Sequence, residues 1–374
     1  MNQIGKIICA RRIEKNWNQE ELCKGICAVS YLSKIEKGKA EPSQEIVAKL
    51  LERLGITIDE EKEQQAKQTA EQAYEYVFSA MNREFRELLG RTDIKELEGT
   101  RYAIDLKLLE QLASSEMKPL NSSAEASMDL RQKAVQKVLS GNCEEALLLY
   151  PNAWMYLMSG IDAYEKGKIN DASDYLNTAY DMGAKEGTVR ILLSAALYQY
   201  RCAAAVHDFA KMKEISQRAR RIAVSLNERN TLFMIEYNMA LASVGAGDYE
   251  EAYEFFSSLD KPNSLSLLFL AVCCEKTDRR EEARSAIDEA NADSSHSPLI
   301  AQCLKLVSCR LSHPDYLDRE EYGNILKACR QSALSEPVNG TATLITRWLL
   351  EWYQATRQYK KAFELLTDEP WAAQ

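Results

Sequence analysis

Apolar residues recur at spacings of three and four along nearly the whole chain, and the alternation expected of strands is almost missing. After Pro42, one such stripe consists of Ile46, Leu50, Leu51 and Leu54. Residues 59–89 contain neither Pro nor Gly, and their aromatic and aliphatic side chains return at helical spacing, which predicts one long helix. The pattern as a whole predicts an all-α fold.

Capping residues mark the helix boundaries near the N-terminus. Asn18 and Glu21 stand in the register of a capping box, which predicts a second helix beginning directly after Asn18. Residues 25–28 interrupt the pattern, a third helix begins near Val29, and Gly38 is placed to end it in a left-handed turn. Two short helices joined by a tight turn are the plan of a helix-turn-helix.

The C-terminal part contains repeated helix pairs. Residues 152–185 resemble the tetratricopeptide repeat, with Gly160 where two helices approach closely and Gly167 at the end of the first helix. Residues 232–259 repeat the pattern around Ala252, and weaker copies occupy other parts of the chain. Because each pair buries its apolar face against its neighbours, the repeats should stack into an α-solenoid with a concave groove.

Charge divides the chain unevenly. Residues 1–56 carry ten Lys or Arg and seven Glu, a net charge of +3. The whole chain carries −9, which leaves −12 for the remainder. A mildly basic small domain suits contact with phosphates. We therefore predict a DNA-binding domain at residues 1–58, a linker helix at 59–90, and a repeat domain for ligand binding and dimerisation at 91–374.

Motifs of catalysis and cofactor binding are missing from the sequence. It contains no G-x-S-x-G, no G-x-x-x-x-G-K-[ST], no G-x-G-x-x-G and no H-E-x-x-H. Its ten cysteines form no C-x-x-C pair and have no histidine cluster beside them, which favours buried reduced thiols over a metal site. No apolar run approaches 18 residues, and charge appears by Lys6. We expect a cytoplasmic, non-enzymatic protein without membrane contact, cofactor or metal.

The segment NQEELCKGICAVSYLSKIEKGKAEPS, residues 18–43, resembles the Xre-type helix-turn-helix of phage repressors and bacterial regulators. The resemblance implies that the recognition helix contacts base edges through Val29, Ser30, Tyr31 and Lys34. It also implies phosphate contacts from Gln19, at the start of the second helix, and from Lys37 and Lys39 in the following loop. Ser and Lys can hydrogen-bond base edges, and Val can contact a thymine methyl group.

This domain, a linker helix and a tetratricopeptide-like array together resemble the peptide-responsive regulators of Gram-positive bacteria, the Rgg/PlcR/PrgX/NprR group. Members of that group are cytoplasmic homodimers in which a short secreted peptide binds the groove and changes the presentation of the DNA-binding domains. The resemblance implies a homodimeric transcription regulator that binds a palindromic operator in double-stranded DNA and senses a peptide. Two alternatives stay open: the repeats bind a protein partner, or the protein is a constitutive dimeric repressor.

Repeat register selects the residues that would face the groove. An amide at the sixth repeat position, here Asn238, can bond both the N–H and the C=O of an extended peptide. Arg347, at a fifth position, could meet a peptide carboxylate. The remaining candidates are apolar or aromatic and indicate a hydrophobic peptide of about five to ten residues; they are Trp154, Met158, Ile161, Tyr164 and Phe269.

Overall fold

The computed structural model describes residues 3–55, 59–97, 100–114, 118–120, 128–292, 297–335 and 340–368. These ranges contain α-helices and short 3₁₀ helices and no β-strand. The predicted all-α class is therefore confirmed for the described residues. The chain divides into two compact units, Met1–Tyr198 and Gln199–Gln374. The predicted domain boundary at residue 58 lies outside the described residues.

The first unit begins with four short helices, α1 (Gln3–Glu14), α2 (Gln19–Cys23), α3 (Val29–Glu36) and α4 (Gln44–Arg53). The predicted capping box is confirmed, because the Glu21 N–H donates to Asn18 Oδ1 at 2.8 Å and the Asn18 N–H donates to Glu21 Oε2 at 2.6 Å. Gly38 takes the predicted left-handed conformation, with φ +67°. The four helices enclose one small core, which consists of Ile4, Ile8, Leu22, Cys23, Leu32, Ile35, Val47, Leu50, Leu51 and Leu54.

The predicted single helix over residues 59–89 is wrong. The structure has two helices there, α5 (Glu60–Phe78) and α6 (Asn82–Gly90). Ala80 takes a left-handed φ of +55°, and the Met81 N–H bonds back to the Tyr76 carbonyl at 2.8 Å, which closes α5. The helix α6 then packs against α5 and buries Phe85 and Leu89. Helix α5 buries several side chains, among them Ala70, Tyr74 and Val77.

Six further helices follow α6 along the chain. They are α7 (Ala103–Ala113), α8 (Leu130–Leu139), α9 (Cys143–Leu149), α10 (Ala153–Glu165), α11 (Ile169–Glu186) and α12 (Val189–Ala205), the last of which crosses into the second unit. The predicted helix pair is confirmed as α10 and α11. A Cβ built on Gly160 would lie 2.6 Å from Leu176 Cγ, so only Gly permits this close approach. Gly167 ends the first helix with φ +74°.

The second unit continues as helix pairs around a larger core. Its helices are α13 (Phe209–Ser225), α14 (Arg229–Ala246), α15 (Tyr249–Ser257), α16 (Ser264–Lys276), α17 (Arg280–Ala292), α18 (Pro298–Ser312), α19 (Glu320–Ser335), α20 (Thr341–Ala355) and α21 (Tyr359–Asp368). The repeat predicted at 232–259 is confirmed as α14 and α15. Ala240, Ala252 and Phe256 lie in its core, and Gly247 makes the left-handed turn with φ +92°.

The cysteines are free thiols distributed through both units. Seven of the ten are buried and three are half-buried, which agrees with the predicted packing role. Within the described residues, no helix combines the length and the apolar character needed to cross a membrane.

Candidate functional site

Helix α3 presents one polar face outward. Leu32 and Ile35 are fully buried in the small core, which fixes the opposite face of the helix toward solvent. On that face Val29 is 42% exposed, and Ser30 and Lys34 are exposed as well. Three of the four predicted base-contacting residues are therefore brought together on one accessible surface.

Tyr31 is placed differently from the other predicted base-contacting residues. Its ring is half-buried, and its hydroxyl donates to the backbone carbonyl of Glu41 at 3.2 Å. Lys37 and Lys39 are exposed on the loop that follows α3, as predicted. The Lys39 N–H donates to the Lys34 carbonyl at 2.7 Å, so this loop is bonded to the end of the helix.

A buried ion pair connects α1 with α3. Arg12 donates from Nε to Glu36 Oε1 at 2.7 Å and from Nη2 to Glu36 Oε2 at 3.0 Å, and the two side chains are only 13% and 4% exposed. The hydrogen bond with Glu36 raises the pKa of Arg12. Arg12 Nη1 also donates to the Trp17 carbonyl at 2.8 Å. One guanidinium thus joins α1, the α1–α2 turn and the end of the recognition helix.

Sequence reasoning missed this ion pair, although a signal was available. Arg12 follows Ile4 and Ile8 at four-residue steps, so it stands on the buried face of α1. A charge on a buried face requires a partner, and Glu36 is the buried carboxylate that supplies it.

The side chain of Gln19 belongs to the same network. Its Nε2 donates to Glu36 Oε2 at 2.6 Å. Gln19 was predicted to meet a DNA phosphate, and its side-chain amide is directed toward the carboxylate of α3 in this structure. Gln19 is only partly exposed at the start of α2, and the phosphate contact stays a prediction.

In the first unit, the predicted groove residues lie along α10. Trp154 is 6% exposed and packs with Phe78 at a centroid distance of 5.7 Å, so it is a core residue. Met158 and Ile161 are half-buried. Tyr164 is also half-buried and meets Tyr198 edge to face at 6.0 Å.

In the second unit, Asn238 is the predicted groove residue with a free side chain. It is half-buried on α14, its backbone carbonyl accepts a hydrogen bond from the Tyr200 hydroxyl at 3.0 Å, and no residue of the described chain bonds its side-chain amide. One turn earlier, Phe233 and Met234 are 50% and 53% exposed. An unpaired amide beside exposed apolar side chains suits an extended hydrophobic peptide.

In the second unit, Phe269 is buried and Arg347 is half-buried. Phe269 is 1% exposed and stacks on Phe256 at 5.6 Å, so it is a packing residue in this conformation. Arg347 is half-buried, and its guanidinium lies 5.6 Å from the centroid of the Phe209 ring. A cation over an aromatic face is already stabilised within the protein. We therefore remove Phe269 from the set of proposed peptide contacts.

Comparison with known families covers the chain from the end of α1 to the start of α5. Residues 10–60 match the family model HTH_3, described as helix-turn-helix. The N-terminal part of the chain is therefore an Xre-type helix-turn-helix domain, which belongs to the DNA-binding class of folds.

Solved structures extend the likeness to the helical array. The chain is similar in fold to aspartyl phosphate phosphatase F from Bacillus subtilis, with a TM-score of 0.50 and 14% identity over 83% of this chain and 94% of that one. PlcR from Bacillus thuringiensis, solved in complex with the peptide PapR7 and DNA, matches at 14% identity over 76% of this chain and 99% of that one. Its TM-score of 0.31 is too low to support a structural inference. No curated protein sequence matches the chain.

Proposed function

We propose that the protein is a sequence-specific transcription regulator that reads DNA through the outward face of α3. The observation that carries this proposal is the joint exposure of Val29, Ser30 and Lys34 over a recognition helix anchored by buried Leu32 and Ile35. Exposed side chains on a rigid helix can enter the major groove and contact base edges. The proposal includes no catalytic activity and no cofactor, and it places the protein in the cytoplasm.

The loop after α3 supports a role in phosphate contact. Lys37 and Lys39 are exposed there. Contacts between lysines and DNA phosphates position a protein on the duplex but do not distinguish one base sequence from another. We propose that a homodimer binds a palindromic operator, with Lys37 and Lys39 fixing each domain on its half-site. The two half-site centres would then lie one helical turn, or a multiple of it, apart.

We propose in addition that the repeats sense a short hydrophobic peptide. Asn238 would bond the peptide backbone, and Phe233 and Met234 would contact its side chains. In the first unit, taken by itself, Met158, Ile161 and Tyr164 are half-buried and stay predicted peptide contacts. Peptide binding can switch DNA affinity only if the peptide prefers one of two conformations of the protein.

The first experiment is fluorescence anisotropy of the intact protein with DNA from the region upstream of its own gene and with a scrambled duplex, at two salt concentrations. The proposal predicts tighter binding to the upstream DNA and a loss of affinity with salt on both duplexes. Equal affinity for the two duplexes, with and without hydrophobic peptides from the same genome neighbourhood, would contradict the proposal.

The two alternatives are separated by simple controls. If the repeats bind a protein partner and DNA binding is secondary, the partner should be captured at fixed stoichiometry, and recognition-helix substitutions should not disturb the capture. If the protein is a constitutive repressor, its affinity for the upstream DNA should be identical with and without cell-free culture supernatant.

A further inference from the structure

Arg53, the last residue of α4, contacts the turn between α2 and α3. Its Nη1 donates to the Leu22 carbonyl at 3.0 Å and also to the Lys24 carbonyl. Leu22 lies in α2, and Lys24 is the residue that caps the C-terminal end of α2. A single guanidinium nitrogen therefore bonds both sides of that helix end.

The backbone of this turn makes few hydrogen bonds of its own. The Lys24 N–H bonds the Glu20 carbonyl at 3.1 Å, and two later N–H groups, of Ile26 and Cys27, both use the Cys23 carbonyl. Helix α2 has five residues, so few intrahelical bonds hold its end. Gly25 follows with φ +72°, and a Cβ built there would have no neighbour within 4 Å. Gly25 itself therefore contributes no packing to the turn, while Ile26 and Cys27 after it pack against the small core.

We propose that Arg53 is a positioning residue for DNA recognition. By bonding the turn to α4, it sets the direction of α3 relative to α2 and thereby places Ser30 and Lys34 against the bases. This inference rests on the proposed DNA-binding function, and it requires no contact between Arg53 and DNA. Base contacts discriminate only when the side chains that make them are held in a fixed geometry.

The test compares two substitutions that each remove one positive charge from α4. Arg53→Met removes the bonds to the turn. Lys49→Met is the matched control, because Lys49 is exposed on the same helix and, within the described residues, pairs with Glu45 in the preceding turn, at 2.7 Å. Fluorescence anisotropy of the intact protein is measured on the upstream DNA and on the scrambled duplex, over a series of salt concentrations.

Arg53→Met should weaken binding to the upstream DNA by about ten-fold or more, because the loss of charged hydrogen bonds loosens the recognition helix. Its affinity for scrambled DNA and its salt slope should stay at the wild-type values, and Lys49→Met should match the wild type in all three. If Arg53 instead contacts a phosphate, Arg53→Met should weaken binding to both duplexes equally and lower the salt slope by about one. That result would overturn the inference, and so would wild-type behaviour of Arg53→Met.

Two further measurements guard against misreading a folding defect. Arg53→Lys keeps the charge but shortens the reach of the donor, so it should also lose preference for the upstream DNA while keeping the wild-type salt slope. Amide hydrogen exchange without DNA should be faster at residues 24–28 in Arg53→Met and unchanged in Lys49→Met; unchanged exchange in Arg53→Met would overturn the inference. A wild-type protein that shows no preference for the upstream DNA would contradict the proposed function itself.

Discussion

Among the charged side chains that the structure describes near α3, Arg12 and Glu36 are largely removed from water. Their pairing costs desolvation, and the pair is stable only while both members are present. Glu36 lies at the end of the recognition helix and Arg12 on α1, so the pair helps to fix the domain that presents Ser30 and Lys34.

Replacing Glu36 should therefore destabilise the small domain more than replacing an exposed carboxylate. Glu36→Gln leaves Arg12 without its counter-charge, and we expect a loss of about 3 kcal/mol in the free energy of local opening. Glu41→Gln is the control, since Glu41 is exposed, and its effect should stay within about 0.5 kcal/mol. Amide hydrogen exchange of α1–α3 in the intact protein measures the free energy of local opening in both variants. Equal protection in the two variants would show that the pair has no structural role.

The lysines of the recognition surface should divide into two kinds. Lys34→Ala should weaken binding to the upstream DNA by about 1–3 kcal/mol and relax its preference over scrambled DNA, because a base contact is lost. Lys39→Ala should weaken binding to both duplexes similarly. It should also lower the slope of log affinity against log salt concentration by about one, as expected of a phosphate contact. Anisotropy titrations distinguish the two patterns. Unchanged affinity and preference in Lys34→Ala would mean that the predicted register of α3 is wrong.

At the level of elements, helix boundaries marked by strong capping residues were predictable, and the break between α5 and α6 was not. Asn18 and Gly38 are residue types with strong local preferences, so their positions followed from sequence. The break between α5 and α6 has no such residue. Ala80 adopts a left-handed conformation that Ala seldom takes, and the packing of α6 on α5 maintains it. Because no residue type there has a strong preference for a turn, the local sequence did not indicate the break.

The helix pair α10–α11 depends on the absence of a side chain at Gly160. Gly160→Ala would place a methyl group 2.6 Å from Leu176 Cγ, and we expect a loss of about 1–3 kcal/mol from the resulting displacement. Gly90→Ala is the matched control, since Gly90 is also helical and a Cβ there would have no neighbour within 4 Å. Hydrogen exchange of α10 and α11 should rise in the first variant alone. Equal hydrogen exchange in the two variants would mean that the Leu176 side chain can move aside without loss of stability.

For the whole molecule, the N-terminal helix-turn-helix and the all-α class could be predicted, and the accessible part of the predicted peptide-binding surface could not. Repeat register gave Asn238 and Phe269 equivalent positions, yet the first is half-buried with an unpaired amide and the second is 1% exposed. The difference arises from how neighbouring helices pack over α16, which a repeat pattern does not encode. Sequence therefore selects candidates for the surface, and packing decides which of them are accessible.

Substitution of Asn238 should remove the response to peptide without changing the affinity for DNA. Asn238→Ala should abolish the effect of an active hydrophobic peptide on DNA binding, because the bonds to the peptide backbone are lost, while affinity without peptide stays at the wild-type value. Asn324→Ala is the control, since Asn324 is exposed on α19 in the same unit. Anisotropy with and without peptide measures both responses. A full peptide response in Asn238→Ala would remove this residue from the proposed site.

The dry environment of the Arg12–Glu36 pair has a practical consequence for experiments with DNA. Mobile ions screen charges in water over about 8 Å at physiological ionic strength, but they reach a pair that is 13% and 4% exposed only weakly. Added salt should therefore leave the small domain folded while it weakens the attraction between lysines and DNA. A loss of affinity at high salt can then be interpreted as counterion release from the duplex, and its slope as a count of phosphate contacts.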